Sequence, residues 1–138
     1  MHIFLVSDSK TGINFFPELE GLLRKKIADL DLDTVFVPFP EDVPAAVSDV
    51  LEEADLVFVF VLYEELDFKI EAMLNKLVEI ETRDKTKVVK VVEESGLPQM
   101  DEARLQREKD GLAEKWSAFL LDYLFKPNAF APKEKQGF

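Results

Sequence analysis

The chain has 138 residues, 47% of them apolar, with 17 Lys plus Arg against 28 Asp plus Glu and a formal net charge of -11. That length supports one core, and so acidic a surface repels phosphate backbones and anionic lipid, which excludes general nucleic-acid and membrane-surface binding as expectations. Cysteine is absent and His2 is the single histidine, so disulfides, thiolate chemistry, a histidine-rich metal cluster and an intrachain Ser-His-Asp triad are excluded too.

His2 to Ser7 is almost purely apolar, the pattern of a strand buried on both faces. The polar stretch Ser7 to Asn14 carries Gly12 and reads as a loop. Asn14 is the expected cap of a helix with Pro17 in its first turn and Leu19, Leu22, Leu23, Ile27 and Leu30 at helical spacing. Thr34 to Phe39 is the second strand. Pro38 cannot donate to a ladder, which points to an edge position or the strand's end. A turn at Pro40 to Pro44 leads into a helix carrying Ala46, Val47, Val50 and Leu51.

Asp55 to Leu62 is the most apolar strand and is expected to be central. The longest apolar run, Leu56 to Tyr63, is far short of the roughly 20 residues of a membrane helix. No basic region precedes an apolar stretch at the start, so the expectation is a cytoplasmic protein without a signal peptide. Glu65 to about Arg83 reads as a helix with Phe68, Ala72, Leu74, Leu77 and Ile80 facing inward. Lys87 to Val92 is the fourth strand, and Ser95 to Asp101 is a Gly/Pro loop. A long helix spans Asp101 to Phe125, with Leu105, Leu112, Trp116, Phe119, Leu120, Tyr123 and Leu124 on one side and Gly111 as a weak point. Residues 126–138 carry Pro127 and Pro132 and are expected to be irregular.

Four strands alternating with four helices predict an α/β fold, a three-layer αβα sandwich around a four-stranded parallel sheet of order 2-1-3-4, in a single domain spanning residues 1–138. Ligands of such sheets sit beyond the carboxyl ends of the strands, where the order reverses. The loops there are Asp8 to Asn14 and Leu62 to Glu65, with Phe39 to Val43 alongside. Asp8 and Ser9 offer oxygens to a polar ligand, or solvate and cap the loop. Ser9-Lys10-Thr11-Gly12 offers hydroxyls and backbone N–H groups, to a phosphate on one reading. Phe39 stands beside this rim. Glu41 and Asp42 precede a helix, where the dipole favours a carboxylate whatever the function, and could also accept from a polyol or a ring N–H. Tyr63 could stack on a flat ring or belong to the core, and Glu64 and Glu65 follow it. The Phe15-Phe16 pair staples the first helix or faces a neighbouring subunit. Twelve Phe residues exceed what a small core needs, which points to self-association.

Pro40-Glu41-Asp42-Val43-Pro44-Ala45-Ala46, followed by Leu51-Glu52-Glu53, resembles the acidic-x-Pro helix start of the lumazine synthase superfamily. Leu124-Phe125-Lys126-Pro127, with Gln136-Gly137-Phe138, is similar to its archaeal-type riboflavin synthase branch. The first strand ending in Asp8 and the spacing from Asp8 to Asp42 also resemble that branch.

The resemblance implies a flavodoxin-like (lumazine synthase-like) sandwich and a homo-oligomer, a pentamer, with active sites between subunits. It implies a transferase of riboflavin biosynthesis that dismutates two molecules of 6,7-dimethyl-8-ribityllumazine into riboflavin and a pyrimidinedione, with lumazine or flavin as substrate and product and no cofactor required. Asp42 would contact the ribityl chain, Asp8 and Ser9 would line the ring pocket, and Lys126 would come from the end of the last helix. Asp8, Asp42 and Lys126 are therefore the candidate catalytic residues. Ser9, Thr11, Phe39, Glu41, Tyr63 and Glu64 are the candidate substrate-binding residues, and no metal ligand is expected. The lumazine methyl is acidic, so positioning and a modest base supply most of the effect.

The chain differs after the third strand, where the family carries a Gly/Pro/Lys-rich loop and then a His-Glu pair. Here the sequence is Leu62-Tyr63-Glu64-Glu65-Leu66-Asp67-Phe68-Lys69. The acidic cluster opposes a phosphorylated ligand. Two alternatives stay open: a divergent paralogue without turnover, and a flavodoxin-like binder of flavin mononucleotide using Ser7 to Gly12 as its phosphate loop.

Overall fold

Four apolar segments form four parallel strands, β1 (His2–Asp8), β2 (Asp31–Val37), β3 (Leu56–Tyr63) and β4 (Lys87–Glu94), in the order β2-β1-β3-β4. The helices are α1 (Phe16–Lys26), α2 (Val43–Val50), α3 (Phe68–Arg83) and α4 (Glu102–Phe125), with a 3₁₀ turn at Pro40–Asp42 leading into α2. This is a computed structural model, and it describes residues 1–83, 86–96 and 98–126. The class is the expected α/β with an all-parallel sheet, and the order is that of flavodoxin-like sandwiches. The expected irregular tail after Lys126, including Pro127 and Gln136 to Phe138, lies outside the described residues.

The chain divides into two compact units, Met1–Asn14 with Asp29–Gln99, and Phe15–Ala28 with the segment from Met100 onward. The first holds the sheet, α2 and α3. On one sheet face Phe4, Val6, Val57, Val59 and Val61 pack with Val47 of α2, Leu51 just after it, and Ile70, Met73, Leu77 and Ile80 of α3. Each such side chain contributes roughly 1.5–3 kcal/mol when fully buried. Ile3, Leu5, Phe58 and Phe60, which alternate with these residues, are buried as well. Burial on both faces is why β1 and β3 read as unbroken apolar runs.

In the second unit α1 packs against α4. Leu19 and Leu23 of α1 and Ala113, Ser117 and Leu120 of α4 are buried. Phe15 and Phe16 are both buried, edge to face at 5.5 Å between centroids, so they serve the interior of the chain. The Asp101 carboxylate accepts from Arg104 N–H at 2.8 Å and fixes the start of α4.

Three boundaries differ from the sequence reading. β2 starts at Asp31, three residues before the expected Thr34, and ends before Pro38. As an edge strand it leaves Asp31, Asp33 and Phe36 exposed, so its first half carries little apolar signal. α1 begins after Phe15 and has no side-chain cap, where Asn14 was the expected one. α3 begins at Phe68 rather than Glu65, because the Asp67 carboxylate accepts from the N–H groups of Lys69 and Ile70, both at 3.0 Å. Its inward face is Ile70, Met73, Leu77 and Ile80. Phe68 is 76% exposed and Ala72 is exposed too, against the expectation that both point inward.

Candidate functional site

β1 lies between β2 and β3, so the order reverses at its carboxyl end. Four hydrogen bonds arrange the turn that follows. The Asp8 carboxylate, buried to 1% exposure, accepts from Lys10 N–H at 3.1 Å and from the Thr11 hydroxyl. A short acidic side chain bonding two and three residues onward is the ordinary chemistry of an Asx turn. The Thr11 hydroxyl oxygen in turn accepts from Leu62 N–H at 3.1 Å, which ties the turn to the end of β3. Ser9 N–H donates to the Val37 carbonyl at 2.8 Å, which ties it to the end of β2.

Beside these strand ends opens a cleft of about 750 Å³, within the range of small-molecule sites. Lys10 reaches it from the turn after β1. Phe39 and Glu41 come from the segment after β2, Tyr63 and Glu64 from the end of β3, and Lys69 from the first turn of α3. The Lys10 ammonium stands 4.8 Å from the centroid of the Phe39 ring. Lys69 Nζ lies 3.7 Å from the Glu41 carboxylate, which offsets both charges. Glu65 and Asp67 complete an acidic rim, with the Asp67 carboxylate occupied in starting α3.

Of the residues singled out in the sequence, Phe39, Glu41, Tyr63 and Glu64 line this cleft. Asp8 and Thr11 secure the turn that carries Lys10, and both Asp8 oxygens are engaged there. Ser9 is exposed, is not among the lining residues and contributes its backbone to Val37. Asp42 occupies the residue before α2. Its carboxylate makes no cap hydrogen bond, is exposed and does not line the cleft. Lys126 ends α4 in the second unit, with Asp122 at 3.6 Å. Lys10, read in the sequence only as part of the Ser9 to Gly12 turn, and Lys69 are charged lining residues outside the candidate set. Their signal was a cation in the turn after β1 and another at the start of the helix after β3.

Gly12 has open space where a Cβ would stand and no positive φ, so the turn does not require glycine there. Among the described residues no group of three or more His, Asp or Glu is arranged to hold a metal ion, and no helix is long and apolar enough to cross a membrane.

No family model matches this chain, and neither does any curated protein. What the site offers chemically is two aromatic faces, carboxylate acceptors on one rim and two lysines, one of them already paired.

Proposed function

We propose that this cleft binds a flat heterocycle bearing an uncharged polyol chain, of the 6,7-dimethyl-8-ribityllumazine and riboflavin type, and that the protein is a riboflavin synthase-like transferase acting on two lumazine molecules. The observation that carries this reading is the meeting of Phe39 and Tyr63 in one open cleft whose rim is rich in carboxylates. Aromatic side chains suit a flat ring, and carboxylates accept from the hydroxyls of a ribityl chain. The same carboxylates disfavour a phosphorylated chain, and Gly12 is not held in the strained or crowded geometry that makes glycine obligatory in a phosphate loop. Both points weigh against the flavin mononucleotide alternative.

In this reading Asp8 and Thr11 act by holding the turn, and Asp42 and Lys126 act on a second substrate molecule or from a neighbouring copy. A homo-oligomer, pentameric by resemblance, is part of the proposal. Phe68 and Leu66, exposed next to Asp67 of the cleft, suit such an interface. The chemistry requires no resident cofactor and a cytoplasmic setting serves it. Incubation with dimethylribityllumazine is expected to yield riboflavin fluorescence in proportion to protein. Absence of riboflavin at high protein concentration would refute turnover.

A second reading is a binder without turnover. It is favoured by the engagement of both Asp8 oxygens, which leaves that carboxylate committed to the turn rather than to proton transfer. Tight lumazine or riboflavin binding without product formation distinguishes it.

A further inference from the structure

β4 is an edge strand, with β3 on one side only. Ser95 N–H donates to the Tyr63 carbonyl at 2.7 Å, so alternate residues from Lys87 to Ser95 turn their N–H and C=O groups to β3, and Val88, Lys90 and Val92 turn theirs outward. Among the described residues, none bonds to those outward groups. The opposite edge, β2, carries exposed Asp31 and Asp33 and stops before Pro38, the usual guards of an open edge. β4 contains no proline, and its Val88, Val89 and Val91 are buried. Its interior charge is Lys90, whose ammonium lies 2.8 Å from the Glu81 carboxylate of α3 and is offset there. The charges along β4 run from Lys87 at its start to Glu93 and Glu94 at its end. A strand of that kind is complementary to its own reverse.

We infer that β4 is a docking edge for a second copy of this chain, the two β4 strands pairing antiparallel about a two-fold axis at Lys90. In that register Val88 of one copy meets Val92 of the other and exchanges both N–H···O bonds with it, and Val89 meets Val91. Lys87 meets Glu93 of the second copy at a non-hydrogen-bonded pair, where side chains approach most closely. Lys90 meets its own counterpart, and each ammonium keeps its Glu81 carboxylate. The nearest registers that keep the same faces together set Lys90 opposite Val92 or Val88 and part Lys87 from Glu93, so charge selects this one. The contact is isologous, so it closes at two copies and doubles any ring the chain otherwise forms. It does not rest on the ring-binding reading of the cleft.

Lys87→Glu and Glu93→Lys test it by light scattering, at roughly tens of micromolar protein because a strand pair is a small interface. The native chain is expected at about twice the mass of either variant alone, since each reversal sets like charges opposite at both symmetric positions and weakens association roughly tenfold or more. An equimolar mixture of the two variants restores opposite charges across the axis, as does one chain carrying both substitutions. Both are expected to regain the native mass. Amide hydrogen exchange at Val88, Lys90 and Val92 is expected to be slow in the native chain and to quicken on dilution. Variants that keep the native mass, or a mixture that stays at the lower mass, overturn the inference. So does protection of those amides that is independent of concentration, which would mean that the same chain covers β4.

Discussion

Thr11 and Leu62 are 51 residues apart in sequence, and the hydroxyl of the first accepts from the backbone N–H of the second at 3.1 Å. The same hydroxyl donates to the buried Asp8 carboxylate. One oxygen therefore joins the carboxyl ends of the two central strands and sets where Lys10 stands relative to Tyr63. Thr11→Val keeps the shape and leaves a backbone N–H and a carboxylate oxygen without partners. The expected cost is about 1–3 kcal/mol, with Thr11→Ser recovering most of it. Urea unfolding of the three chains measures this. Equal stabilities for Val and Thr would mean the tie contributes nothing.

The aromatic pair carries the proposed ring binding. Tyr63→Ala removes one stacking face at the end of β3, where only the last two positions of the strand are not fully buried. An aromatic contact contributes about 0.5–1.5 kcal/mol beyond the area it covers, so riboflavin affinity is expected to fall roughly tenfold. Tyr63→Phe is expected to stay within a factor of a few. Fluorescence titration reads both. Unchanged affinity in Tyr63→Ala would move the ring away from this wall.

The acidic rim gives a prediction about phosphate. Flavin mononucleotide is expected to bind at least tenfold more weakly than riboflavin at low salt, because its phosphate approaches Glu64 and Glu65. The gap narrows as salt screens exposed charges, and Glu64→Gln with Glu65→Gln narrows it further. Tighter binding of the mononucleotide would support the flavodoxin-like alternative instead.

Strand order and most of the central core were legible in the sequence because Ile3 to Val6 of β1 and nearly all of β3 are buried on both faces and are apolar throughout. The edge strand β2 was legible only in its second half, since Asp31 and Asp33 are exposed polar residues that carry no apolar strand signal, even though the Asp33 carboxylate stands 2.7 Å from the His2 ring of β1. The site was legible by topology: strand order names the loops, and Phe39, Glu41, Tyr63 and Glu64 were found that way. What each side chain does there was not legible. Asp8 looks the same in sequence whether its carboxylate is free or, as found, committed to Lys10 and Thr11. Asp42 follows a residue that lines the cleft and does not line it itself, a difference of one position in a 3₁₀ turn.

α3 offers the sharpest contrast between the face expected and the face found. Leu77 and Ile80 face inward as expected, while Ile70 and Met73, rather than Phe68 and Ala72, complete the buried stripe. Leu77 is wholly buried, so Leu77→Ala is expected to cost about 2–5 kcal/mol. Phe68→Ala, at 76% exposure, is expected to change stability by less than about 0.5 kcal/mol. Chemical denaturation compares the two. If Phe68 belongs to an interface between copies, Phe68→Ala also weakens self-association, seen as a lower mass by light scattering at the same concentration. A large stability loss in Phe68→Ala without any change in mass would instead place that ring in the core of a single chain.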